Sequence, residues 1–308
     1  MNPVAERAAV AWPLLVAETL IFGTAAFSRL VAPASDVPDT ESGRTFEAFW
    51  RPLTLVVLVC SPLVLLTATA DMAGVSLRAA VAMLPQVRRE THLGHVWSFS
   101  AALTVLLLAV AWLPTPFAIR SAGMCVLAGL LLLCGSLVSH AIDGGTPAVA
   151  VHFLHQVAAA LWLGAIVGLW LCALRRGRDR DWLLRAAVRV SRLAGWTVAV
   201  LLLTGLWSAY YGLGGTPGRL TDTPYGQTLL VKAGAASLVL LIGAGNRSRL
   251  MSGLAEERSR RALLRNVGIE SLLLVAILGL AALLANTPPA LHGGTTSIAA
   301  GARMTTWW

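Results

Sequence analysis

Between Arg51 and Asp71 the chain runs through nineteen residues without one charged side chain. That length matches the hydrocarbon core of a bilayer, which an α-helix crosses in about twenty apolar residues. In lipid each backbone polar group must be satisfied within its own segment, so such a run folds as a helix. The pattern recurs along the sequence, and spans are expected near 8–31, 52–70, 96–113, 118–141, 149–174, 190–212, 226–245 and 267–286. Only 13% of the residues are charged, against about a quarter in a soluble domain. The expected fold class is therefore all-α, a polytopic membrane bundle of about eight helices. Glu6 and Arg7 precede an apolar stretch too long for a signal peptide, with Glu18 inside it, so this stretch reads as the first span. The segment from Asp71 to His95 mixes apolar residues with Arg78, Arg88 and Arg89, which predicts an amphipathic element at the interface.

The net charge of +9 does not mark a nucleic-acid surface, because the basic residues lie between the spans. Arg175–Arg192 holds seven arginines and Arg247–Arg265 holds six. Both segments belong on the cytoplasmic side by the positive-inside rule. Alternation from these loops puts 16 basic residues inside and six outside, with Arg29 and Lys232 within spans and both termini outside. On this map none of the six histidines faces the cytoplasm. His92 and His95 open the third span, His140 ends the fourth, His152 and His155 open the fifth, and His292 follows the eighth. The four cysteines, Cys60, Cys125, Cys134 and Cys172, all fall inside spans, a poor arrangement for a disulfide framework.

An internal repeat is also legible. Thr91-His-Leu-Gly94 parallels Thr223-Pro-Tyr-Gly226 at an offset of 132, and Leu20-Ile-Phe-Gly23 parallels Leu161-Trp-Leu-Gly164 at 141. The expectation is a parallel four-plus-four repeat: residues 1–145 and 146–290, then an outer tail at 291–308.

Ser139-His140-Ala141, His155 leading into Leu161-Trp162-Leu163-Gly164, and Ser191-Arg192-Leu193 come in order. Thr204-Gly205, Thr223-Pro224-Tyr225-Gly226 with Lys232, Asn246-Arg247 and Thr287-Pro288-Pro289 follow. Over residues 139–290 this order resembles the CopD family of bacterial inner-membrane copper-resistance proteins. The first half matches more loosely, best at Thr91, Gly94, Val96 and Trp97. It carries Ser98, Phe99 and Ser100 where the family often places a basic residue. The resemblance implies copper handling, usually uptake across the bacterial inner membrane together with a periplasmic copper carrier of the CopC type.

The residues themselves point the same way. His152 and His155 are three apart and share a helix face, and imidazole is a common ligand for copper, zinc and iron. Trp162 continues that face. His140 precedes them by a short loop, and Asp143 is placed to orient or ligate. Three imidazoles without thiolate do not select among Cu(I), Cu(II) and Zn(II). His92 and His95 repeat the same spacing and form a second site or complete the first. Glu18 and Lys232 are charges inside the hydrocarbon, which either pair with each other or serve an ion path and an anionic or haem-like ligand. Cys134, Cys125 and Met124 descend along the fourth span as soft stepping stones, though Cys134 and Cys125 point to opposite faces.

Three readings follow: a copper permease accepting the ion from the periplasmic side, a haem b-binding redox protein, and a copper donor that does not transport. A two-haem relay needs ligands at both faces, and the inner face carries no histidine. No P-loop or hydrolase triad is present, and the chain reads as a binding or transport protein rather than an enzyme.

Overall fold

The computed structural model describes residues 3–31, 41–175, 180–245 and 257–288. Ten helices are found among them: α1 (Pro3–Leu30), α2 (Glu41–Ala73), α3 (Leu77–Glu90), α4 (His92–Trp112), α5 (Phe117–Leu137), α6 (Gly145–Arg175), α7 (Arg180–Gly212), α8 (Arg219–Asp222), α9 (Pro224–Gly245) and α10 (Glu257–Ala285). Eight of them are long and apolar enough to cross a membrane, so the chain is an all-α multi-pass bundle. The outer tail at 291–308, with His292, lies outside the described residues.

Most helices run past the apolar limits expected from sequence. α2 begins at Glu41 and α7 at Arg180, ten or so residues before the uncharged run. A backbone already wound into a helix needs no apolar side chains once it leaves the hydrocarbon, so hydropathy underestimates its length. The fourth span is the exception. It stops at Leu137, and a 3₁₀ turn at His140–Gly144 leads into α6. Gly145 adopts φ +70° there, a left-handed conformation open to glycine at little cost. The segment expected at the interface folds as α3, in which Ala80 and Val87 are buried, and its start is capped by Ser76.

α1 and α6 form the central pair. In the apolar stretch of α6, 67% of the residues are buried inside the protein, against 6% in α9. Lipid tails are as apolar as leucine, so close packing rather than water exclusion must join the two. Small residues provide that approach: a Cβ on Gly23 would fall 1.9 Å from the Ala160 carbonyl oxygen, and one on Gly164 would fall 2.0 Å from the Gly23 carbonyl carbon. α2, α5 and α10 surround α1, while α7 packs on α6 and α9 on α10. α2 also packs along α4, but α7 and α9 do not pack along each other.

Indole nitrogens tie the helices together, each N–H finding an acceptor on a neighbouring helix. Trp12 donates to Val275 O at 2.9 Å, Trp50 to Thr24 Oγ1 at 2.9 Å and Trp97 to Ser61 O at 3.1 Å. At the end of the bundle away from the described histidines, Phe46, Trp50 and Phe117 stack, with Trp50 and Phe117 only 4° from parallel. Buried Arg120 pairs with Glu47 beside them. Guanidinium groups at this end also close helix termini, whose last carbonyls lack intrahelical partners. Arg120 donates to Leu113 O at 2.9 Å, Arg51 to Ala111 O at 3.3 Å and Arg189 to Val31 O at 2.8 Å.

Two threonines start helices in the same way. Thr91 Oγ1 accepts from Gly94 N at 3.0 Å and donates to Val87 O at 2.7 Å. Thr223 Oγ1 accepts from Gly226 N at 3.1 Å and donates to Arg219 O at 2.6 Å. Each clasps a long membrane helix to the short helix before it, and each glycine is so close to that helix that a Cβ would strike its backbone.

Candidate metal site

The first turns of α6 carry His152 and His155 on one face, both half-buried. His155 Nδ1 lies 2.9 Å from Thr204 Oγ1 on α7. Thr204 sends its own proton back into its helix, to Val200 O at 2.6 Å with a longer component to Leu201 O at 3.4 Å. His152 Nδ1 is 3.2 Å from Ser136 Oγ at the end of α5 and 3.2 Å from the Gln156 amide nitrogen. Ser136 in turn donates to Leu132 O at 3.1 Å. Both imidazoles are thus held through Nδ1 by polar groups of the bundle. Outer partners of this kind orient metal-ligating histidines.

Lys232 on α9 is within electrostatic reach of both rings, and His140 of His152. His140 itself is exposed on the 3₁₀ turn, as is Asp143. The turn starts at Ser139, whose hydroxyl accepts from Ala141 N at 3.3 Å.

The other two described histidines are engaged elsewhere. His92 Nε2 meets Leu137 O at 3.1 Å, and His95 Nε2 meets Arg89 O at 2.9 Å. Both rings are exposed and serve helix ends with unpaired carbonyls. His92 does reach α5 near His140, so the same end of the bundle carries all five. Among the described residues no three His, Cys, Asp or Glu side chains are gathered as a ready cage for a metal ion. His152 and His155 share one face of α6, with Lys232 within electrostatic reach of both.

Glu18 and Lys232 do not form an ion pair, contrary to one sequence expectation. Glu18 instead lies within electrostatic reach of Cys134 on α5, whose thiol is beside the Ser100 hydroxyl of α4. Lys232 belongs to the histidine pair. Met124 is fully buried, and Cys125 neighbours Arg29 toward the opposite end. Trp162, 8% exposed, is part of the apolar core.

Sequence reasoning gave no role to Ser136 or Gln156 and placed Thr204 only within a motif. Each is a polar residue in an otherwise apolar run, and that was the available signal. Gln156 Oε1 is buried without a hydrogen-bond partner.

Residues 6–148 match the model of the copper resistance protein D-like N-terminal domain, and residues 184–284 match that of copper resistance protein D. The chain is 30% identical over 211 residues to the copper transport protein CutJ of Bacillus subtilis, covering 65% of this chain and 37% of that protein. It is 30% identical over 178 residues to the inner membrane protein YebZ of Escherichia coli, covering 56% of this chain and 60% of the relative. The chain thus spans less than two thirds of either relative. No solved structure matches it. With two family models covering most of its membrane helices, the chain belongs to the CopD family of copper-resistance proteins.

Proposed function

We propose that this protein accepts copper on the periplasmic side of the inner membrane and passes it through the bundle toward the cytoplasm. The observation that carries the reading is the imidazole pair at the start of α6. His155 is held through Nδ1 by Thr204, which leaves its Nε2 for an ion, and His152 is held at Nδ1 beside Ser136 and Gln156 on the same face. His140 stands at the mouth as the first contact, and copper is the cargo rather than a resident cofactor. Two buried-side imidazoles and one exposed one make an open site, suited to receiving an ion and releasing it again. Cys134 and Glu18, then Met124, are the residues for the inward leg, since thiolate and thioether favour Cu(I).

The arginine distribution supports an orientation with the histidine end outside and both termini periplasmic. A CopC-like carrier would then deliver copper to His140. The clasps at Thr91 and Thr223, and the meeting of Gly23 with Gly164 at equivalent points, support the four-plus-four repeat.

The test is the purified protein, assayed by elemental analysis and visible spectrum, then by copper entry into proteoliposomes. Stoichiometric copper that falls on changing His155→Ala and His152→Ala, with uptake into vesicles, supports the reading. Copper that binds but never enters leaves a donor, and a Soret band points to the haem-binding alternative.

A further inference from the structure

We infer that Thr204 is a positioning residue that fixes the tautomer of His155, making Nε2 the nitrogen that takes copper; this rests on His155 being a ligand, as proposed above.

A threonine hydroxyl has one proton to give and lone pairs to receive with. Thr204 Oγ1 gives its proton to the backbone of α7, at 2.6 Å from Val200 O and 3.4 Å from Leu201 O. Such back-bonding to the preceding turn is the usual habit of threonine inside a helix. Toward His155 the hydroxyl is therefore an acceptor only. The 2.9 Å contact requires that Nδ1 carry the hydrogen and donate it. A neutral imidazole with its proton on Nδ1 has its lone pair on Nε2, which is the atom a metal needs.

The surroundings hold this arrangement. Thr204 is 6% exposed, so water does not compete for its lone pairs. The next residue is Gly205, and a Cβ built there would sit 3.6 Å from His155 Cε1, at ordinary contact distance. The ring thus lies against α7 at Gly205. The contact also crosses between helices, 49 residues apart in sequence, so α7 sets the direction of a ligand carried by α6. His152 lacks such a clear assignment, because a hydroxyl and an amide both face its Nδ1.

The experiment compares wild type with Thr204→Val, which keeps the shape and removes the hydroxyl, and Thr204→Ser, which restores it. Two readouts are taken on full-length protein in detergent. The first is the long-range ¹⁵N spectrum of histidine-labelled, metal-free protein, with the His155 signal assigned by its loss in His155→Ala. The second is affinity for Cu(I) in a chelator-buffered series. Expected are an Nδ1–H signature for His155 in wild type and Thr204→Ser, its loss in Thr204→Val, and copper affinity about 10–100-fold weaker in Thr204→Val alone. An Nε2–H signature in wild type, or a Thr204→Val protein with unchanged tautomer and affinity, overturns the inference. If His155→Ala itself binds copper like wild type, the ligand assignment falls, while the tautomer spectrum still decides what Thr204 does.

Discussion

Gly23 and Gly164 meet backbone to backbone where α1 crosses α6 at the centre of the bundle. Neither position has room for a methyl group. Gly23→Ala and Gly164→Ala should each destabilise the protein by about 1–3 kcal/mol, the usual cost of overpacking, despite alanine's better helix propensity. Gly234→Ala on α9, where an added Cβ meets nothing within 4 Å, should be neutral or slightly stabilising. Thermal unfolding in detergent, followed by intrinsic fluorescence, distinguishes the three.

Arg120 is 4% exposed and joins Glu47 to the last carbonyls of α4. Removing it leaves a carboxylate without its main partner and two carbonyls uncapped. Arg120→Met should cost on the order of 3–5 kcal/mol, as for breaking a buried pair. Arg51→Met should cost far less, because its side chain is 39% exposed and its guanidinium is 3.7 Å from Glu47. A drop in melting temperature for the first that is no larger than for the second would contradict this account.

The threonine clasps should respond as helix caps do. Thr91→Ala and Thr223→Ala are each expected to lose about 0.5–2 kcal/mol, with serine recovering most of it. The matching check is hydrogen exchange, which should quicken first at Gly94 and Gly226, whose amides the hydroxyls now hold.

Copper binding should grade the histidines by what their nitrogens already do. His92 and His95 spend Nε2 on backbone carbonyls, so alanine at either should change copper affinity by less than about threefold, while His155→Ala loses ten- to a hundredfold or more. Competition titration with a chromogenic chelator gives both numbers in one series. An equal loss at His92 would move the site toward α4.

Cys134→Ser and Glu18→Gln test the inward leg. Both should slow copper entry into proteoliposomes while leaving affinity at the histidine end unchanged. Unaltered uptake in both variants would remove them from the path.

Legibility in the sequence differed by scale. The spans were plain, because a charge-free run such as 52–70 admits few other folds in lipid. Their ends were not, since α7 continues as a helix through Arg185 and Arg189 well outside the apolar stretch. The shared face of His152 and His155 follows from helical spacing alone. Their partners do not: Thr204 and Ser136 sit on other helices, and only packing decides which hydroxyl meets which ring. The same limit explains Glu18 and Lys232. Two buried opposite charges suggest a pair, but α1 turns Glu18 to Cys134 and α9 turns Lys232 to the imidazoles.

Arg51, Arg120 and Arg189 close helix ends with the same guanidinium groups whose charge bears on how the chain is threaded through the bilayer. Insertion and folding therefore draw on one set of atoms. A change that rewires the order of threading by moving these charges also unseals a helix, so a wrongly oriented chain is at once a weakened one. Quality control then has a single symptom to detect.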